Sequence, residues 1–145
     1  MTLPVFTVLK EHLDSENRYV GPENLADFAG HLEIAENLGF VVFGALKVAG
    51  YICAKAGSGI KAGSGIEAGL GIKAGWGIEA GSGIEAGFSI TCKARLRSGL
   101  RIFAGLCLWR LPKPDETRIE CGRLEAGQVA FGELVEAEPK AKAAE

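Results

Sequence analysis

From Lys55 the chain reads KAGSGI, KAGSGI, EAGLGI, KAGWGI, EAGSGI and EAGFSI, six consecutive six-residue units without a gap. Ile60, Ile66, Ile72, Ile78, Ile84 and Ile90 mark the period. A period of six fits neither the heptads of a coiled coil nor the triplets of collagen. The block also holds eleven glycines in 36 residues, and each would cost a helix about 1 kcal/mol relative to alanine. Six is a multiple of the strand period of two, so every unit presents the same face. The repeat therefore predicts short strands that coil and stack, each coil sealing the next.

The spacing reaches beyond this block. Backwards it takes in Ile52, Leu46, Phe40 and Ile34, with Cys53-Ala54 as a two-residue insertion; forwards it takes in Leu96, Ile102 and Leu108. About thirteen hexads thus run from Ala29 to Leu108, enough for about four coils. Stacking at eighteen residues groups Leu70, Phe88 and Leu106 and makes a charge ladder of Lys61, Glu79 and Arg97. Stacking at twelve sets Lys61 on Lys73 and Glu67 on Glu79, which repel as neighbours. Three hexads per coil is the better register, although it sets Lys55 on Lys73 and Glu67 on Glu85.

These hexads resemble the hexapeptide-repeat, left-handed parallel β-helix. Their KAG and EAG units, with Ala45-Leu46-Lys47-Val48-Ala49-Gly50, are also similar to bactofilin-type solenoids, which join end to end. The fold class expected is all-β, a β-solenoid with a small N-terminal cap and C-terminal capping strands. The second, fourth and sixth hexad positions are expected to face inward, which leaves glycines and one Lys or Glu outside. Trp76 and Phe88 occupy the fourth position, where the resembling family has a small residue. They imply either a wider interior or a different environment.

Four segments follow: a cap over 1–28, the solenoid over 29–108, capping strands over 109–135 and a small, charged tail over 136–145. In the cap, Gly21-Pro22 before Glu23-Asn24-Leu25-Ala26-Asp27-Phe28 reads as a short helix with proline in its first turn. Trp109 to Pro114 is a proline-marked turn.

Charge is uneven along the chain. Residues 1–36 carry net −5, residues 91–114 carry +6 with no acid, and residues 115–145 carry −4. The basic belt comprises Lys93, Arg95, Arg97, Arg101, Arg110 and Lys113. Lys93, Arg95 and Arg101 replace glycines of earlier hexads, so a smooth wall becomes rich in forks that suit phosphates and carboxylates. Lys93, Arg95, Arg97, Arg101 and Arg110 are the expected partner-binding residues. Exchange of Arg95, Arg97 and Arg101 for serine is expected to leave the melting temperature nearly unchanged.

Other chemistry finds little support in the residues. The histidines, His12 and His31, lie in or beside the cap. An acyltransferase of the resembling family would use a histidine base, a protruding loop and an appended helix; here the one clear interruption is two residues long. Cys53, Cys92, Cys107 and Cys121 lack metal-ligand spacing, and Cys92 is expected to be a buried thiol. The glycines form no phosphate-loop motif. No cofactor and no metal are expected. No run approaches the ~18 apolar residues of a membrane span, and the N-terminus lacks a signal pattern, so a cytoplasmic location is expected.

The expected function is a non-enzymatic binding protein that presents a rigid surface to a protein partner such as a nucleic-acid-processing complex, with direct nucleic-acid contact through the belt as a variant. Its small repeat architecture is similar to phage and mobile-element accessory proteins that inhibit host nucleases or other defence systems. The alternative is a bactofilin-like, self-associating structural polymer.

Overall fold

A computed structural model describes residues 3–107 and 111–137. The chain is a parallel β-solenoid of about five turns. A leading strand, β1 (Val5–Val8), precedes a first turn of β2 (His31–Ile34), β3 (Gly39–Phe43) and β4 (Leu46–Val48). The second turn holds β5 (Ile52–Ala54), β6 (Ser58–Ala62) and β7 (Ile66–Ala68). The third holds β8 (Ile72–Ala74), β9 (Ile78–Ala80) and β10 (Ile84–Ala86). In the fourth, β11 (Ile90–Cys92) is followed by one long strand, β12 (Arg95–Ala104), which supplies two sides by bending round a corner. A fifth turn repeats that plan with β13 (Arg118–Cys121) and β14 (Arg123–Phe131), and β15 (Glu133–Glu136) follows.

All pairings between these strands are parallel. One side stacks β1, β2, β5, β8, β11, β13 and β15. The second stacks β3, β6, β9 and the first half of β12, and the third stacks β4, β7, β10 and its second half. Ile60 pairs with Ile78, Ile66 with Ile84 and Ile72 with Ile90, each eighteen residues on. After five of the six isoleucines the strand holds the triplet Ile-Lys/Glu-Ala, and at Ile90 it is Ile-Thr-Cys. Isoleucine and alanine point in, and the charge between them points out. The six isoleucines of the block are 0–1% exposed, and each such side chain contributes about 2 kcal/mol by leaving water.

The Gly-x-Gly segments are the corners. Their N–H groups donate along the axis, as from Ser82 to Ser64 at 3.0 Å and from Leu100 to Ser82 at 3.2 Å. Glycine before the corner residue is set by close approach: a Cβ on Gly81 would overlap the carbonyl oxygen of Gly63, and one on Gly99 that of Gly81. The fourth hexad position is thus a corner of varied burial and not a uniform interior site: Ser58 and Phe88 are buried there, at 0% and 9% exposed, while Ser64 and Leu100 are exposed. This corrects the expected facing and accounts for Trp76, which is 42% exposed.

Before Ile52 the hexad spacing holds only for Leu46. The stacked positions there are Val41, under Ile60, and Leu32, under Ile52, in place of Phe40 and Ile34. Ile34 lies in register with Ala54. The additional residues sit in the turn after β5, where Gly57 adopts a φ of 77°, so Cys53 and Ala54 are strand residues. Lys73 consequently faces Cys53, and Lys55 reaches Glu33 at 3.7 Å. On the other side, Leu108 lies outside the described residues, and Ile119 takes the place above Ile90.

The N-terminal end is covered. Phe28 bridges to Val48 and Arg18 to Val42, while β1 lies on β2. Residues 22–28 form turns in place of the expected helix. The segment has to cross the open third side, where Leu25 accepts from Lys47 N–H and Phe28 from Ala49 N–H, both at 2.9 Å. Leu25 is 3% exposed and plugs the core. Among the described residues no helix is long and apolar enough to cross a membrane.

At the other end, β13 and β14 stack in parallel on the fourth turn, and β15 stacks on β13. Two features blunt the last strands. β14 is irregular against β12, with register shifts and a Gly127 φ of 106°. Glu136 stands in register with buried Cys121, and its carboxylate accepts from Leu124 N–H at 2.8 Å. A charge at an inward-facing edge position opposes the addition of a further strand.

Candidate interaction surface

The second side presents its outward residues in columns. Lys61, Glu79 and Arg97 form one, as the eighteen-residue register requires. Arg97 lies 3.7 Å from Glu79. Arg95 pairs in register with Arg123, and both reach Glu125, at 3.5 and 3.7 Å. Arg97 reaches the same carboxylate at 3.8 Å. Three guanidiniums thus share one acid, which is itself only 17% exposed. The arginine side chains are 44–69% exposed. None of these contacts is as short as an N–H···O hydrogen bond, so the forks keep donors for a partner. With Lys61 in register with Glu79 and Lys93 on the adjoining corner, this region carries five cations against the two acids Glu79 and Glu125.

Beside this cluster stands a rigid aromatic ledge. The Trp76 and Phe40 rings lie 4.8 Å apart, tilted by 32°. Phe40 fits across Gly59 and Gly77, where a Cβ at either position would strike its ring. The Trp76 carbonyl accepts from both Lys93 and Ala94 N–H at 3.0 Å, so the basic corner follows the tryptophan directly along the axis.

The sequence-predicted belt is divided by the fold. Lys93, Arg95 and Arg97 share the second side and its first corner. Arg101 lies past the Gly99-Leu100 corner, in a groove with Ser82, Glu85, Phe103 and Gln128. Arg110 lies outside the described residues. Trp76 and Arg123 were absent from the sequence-derived set. Trp76 does carry a signal, as a large aromatic in a hexad position held by serine in three of the six units. Arg123 carried none, because it joins the cluster only through the stacking of β14 on β12.

The histidines are engaged locally. His31 Nδ1 accepts from Tyr51 N–H at 3.0 Å, and the two rings stack at 4.1 Å. His12 Nδ1 accepts from Leu9 N–H at 2.9 Å. Among the described residues no group of three metal-ligating side chains converges. On the third side, burial and the neighbouring Glu67 carboxylate raise the pKa of Glu85 above the ordinary glutamate range, with Lys47 opposing. Tyr51 is raised by its hydrogen bond to Glu33.

Comparisons with protein-family models, curated proteins and solved structures find no match to this chain.

Proposed function

We propose that this protein is a non-enzymatic binding protein whose second side docks onto an acidic surface of a protein partner. The observation that carries the reading is the juxtaposition of a partly exposed, ring-supported Trp76 with Lys93, Arg95, Arg97 and Arg123. Tryptophan and arginine dominate the energetics of protein interfaces, and a site preformed on paired strands loses little entropy on binding. The excess of cations selects acidic partners and speeds encounter. A host nuclease or another nucleic-acid-processing defence complex is the partner class in view. The covered N-terminal end and the Glu136 carboxylate at the other favour this reading over a filament.

The test is capture from a bacterial lysate on immobilised wild-type protein, on Trp76→Ala and on Arg95→Ser/Arg97→Ser, followed by titration of the purified partner at two salt concentrations. The reading expects one stoichiometric protein, weakened at least tenfold by either variant and released by salt. Equal capture and affinity for all three proteins would overturn it. Capture abolished by nuclease treatment of the lysate would replace it with direct nucleic-acid binding, and sedimenting polymers of the protein alone would replace it with the filament.

A further inference from the structure

Two of the four cysteines meet inside the solenoid. Cys92 ends β11 and Cys121 ends β13, and both are 4% exposed. The two strands are parallel neighbours, with Ile90 opposite Ile119 and Thr91 opposite Glu120. The next inward position therefore sets Cys92 beside Cys121, close enough for each thiol to perturb the ionisation of the other. In the turns below, this column holds Ala54 and Ala74. The pair thus stands where the repeat needs only alanine, and its sulfurs are surplus to packing. Residues in register on parallel strands have Cα atoms about 4.8 Å apart, inside the ~4.4–6.8 Å range that a disulfide spans.

We infer that Cys92 and Cys121 are a peroxide-oxidisable pair that closes to an intrachain disulfide between the fourth and fifth turns. The two thiols are not equivalent. Cys121 is one turn nearer the C-terminal end, beneath Glu136 and beside the half-buried Leu124 and Leu134. Cys92 Sγ–H donates to the Ala94 and Arg95 carbonyls at 3.9 and 3.6 Å, and the neighbouring Cys121 and burial also hold it protonated. The neighbouring Cys92, in contrast, favours the Cys121 thiolate against burial and the Glu136 charge. Cys121 is accordingly the nucleophile. Its thiolate attacks one oxygen of hydrogen peroxide, the O–O bond breaks, and hydroxide leaves to give a sulfenic acid. Cys92 then attacks the Cys121 sulfur, and its proton leaves with the departing hydroxyl as water. In sum, two thiols and one peroxide give one disulfide and two waters.

The bridge would span Lys93, Arg95, Arg97 and Arg101, all of which lie between the two cysteines in sequence. It would also tie β13, which leads directly into Arg123 and Glu125, to the turn that carries Arg95 and Arg97. Oxidation thus fastens the two turns that share the arginine cluster.

The test treats the reduced, folded full chain with equimolar hydrogen peroxide, blocks remaining thiols in denaturant with iodoacetamide, and maps the products by mass spectrometry. The expected result is a chain lighter by two hydrogens before alkylation, a linked Cys92–Cys121 peptide pair, and labels on Cys53 and Cys107 alone. The melting temperature should rise by several degrees and return to its starting value with dithiothreitol. Cys92→Ala, which restores the residue found in the turns below, should keep the fold, lose the link and leave a sulfenic acid on Cys121 that dimedone traps. Cys53→Ser/Cys107→Ser should form the link unchanged. Full labelling of Cys92 and Cys121 after peroxide, a link through Cys53 or Cys107, or sulfinic acid at Cys121 without a link would each overturn the inference.

Discussion

Arg97 stands over Glu79 on the neighbouring parallel strand, its Nε 3.7 Å from the carboxylate. The same guanidinium reaches Glu125 on the turn beyond. The arginines of the second side therefore bind the last two full turns together as well as facing solvent. This changes the stability expected of their variants. Arg95→Ser/Arg97→Ser leaves Glu125 with Arg123 alone and Glu79 without Arg97. Exposed pairs contribute little singly, but a loss of about 1 kcal/mol is expected for the set, or about 3 °C in Tm. Arg101→Ser, which breaks no ion pair among the described residues, should shift Tm by less than about 1 °C. Thermal melts in low and high salt check this, with the gap between the two variants closing in high salt.

Glycine at the corners separates into two kinds. Gly81→Ala drives a methyl group into the Gly63 carbonyl, backbone against backbone, with no side chain able to give way. A loss of about 3 kcal/mol or more is expected. Gly44 has open space where its Cβ would stand, so Gly44→Ala should be neutral or slightly stabilising through the unfolded chain. Urea denaturation of both variants makes the comparison, and equal midpoints would contradict the close-approach account.

Ile78 is fully buried in its column between Ile60 and Leu96. Ile78→Asp places a carboxylate among apolar side chains, at a cost comparable to the whole stability of a domain. Loss of the native circular dichroism spectrum is expected. Ile78→Val, at about 1 kcal/mol, should only lower Tm by about 3 °C. A cooperative, native Ile78→Asp protein would exclude the stacking described above.

Glu85 and Glu67 are paired like charges on the third side. Because the fold raises the Glu85 pKa, chiefly by burial and then by Glu67, its contribution to stability is present at acid pH and is lost as pH rises through that raised value. Glu85→Gln should therefore stabilise at neutral pH, by about 0.3 kcal/mol, with the advantage fading toward about pH 4. Melts across that range supply the check, and a pH-independent difference would rule out the electrostatic cause.

Legibility in the sequence followed the regularity of the backbone. From Ile60 to Ile102 the inward positions recur every six residues, so register, burial and the Lys61–Glu79–Arg97 column are legible from spacing alone. Nearer the N-terminus, Leu32, Val41 and Leu46 fall at unequal intervals because the first corner of that turn is longer, and the second shorter, than in the repeat. Ile34 and Phe40 preserved the arithmetic of the period without occupying its position. The segment at 22–28 carried local helix signals, yet covering the third side required turns and an extended Phe28. For Trp76 the sequence leaves a wider interior and a different environment both open, and the second holds, since two-residue alternation does not carry through a corner where the chain turns. The Arg123 contribution depends on the stacking of β14 on β12, and the six-residue spacing does not carry across residues 105–117 to β13.

Because pairing repeats every eighteen residues between Ile60 and Ile102, that part of the solenoid behaves as a spacer measured in whole turns. Duplicating residues 61–78 would preserve every inward column and every corner. It would move the acidic cap away from the arginine cluster by one strand spacing, about 4.8 Å, while both kept their facing. Length can thus change by unequal recombination within the repeat while the two ends stay in angular phase, so reach along the axis and chemistry at the ends are separately adjustable.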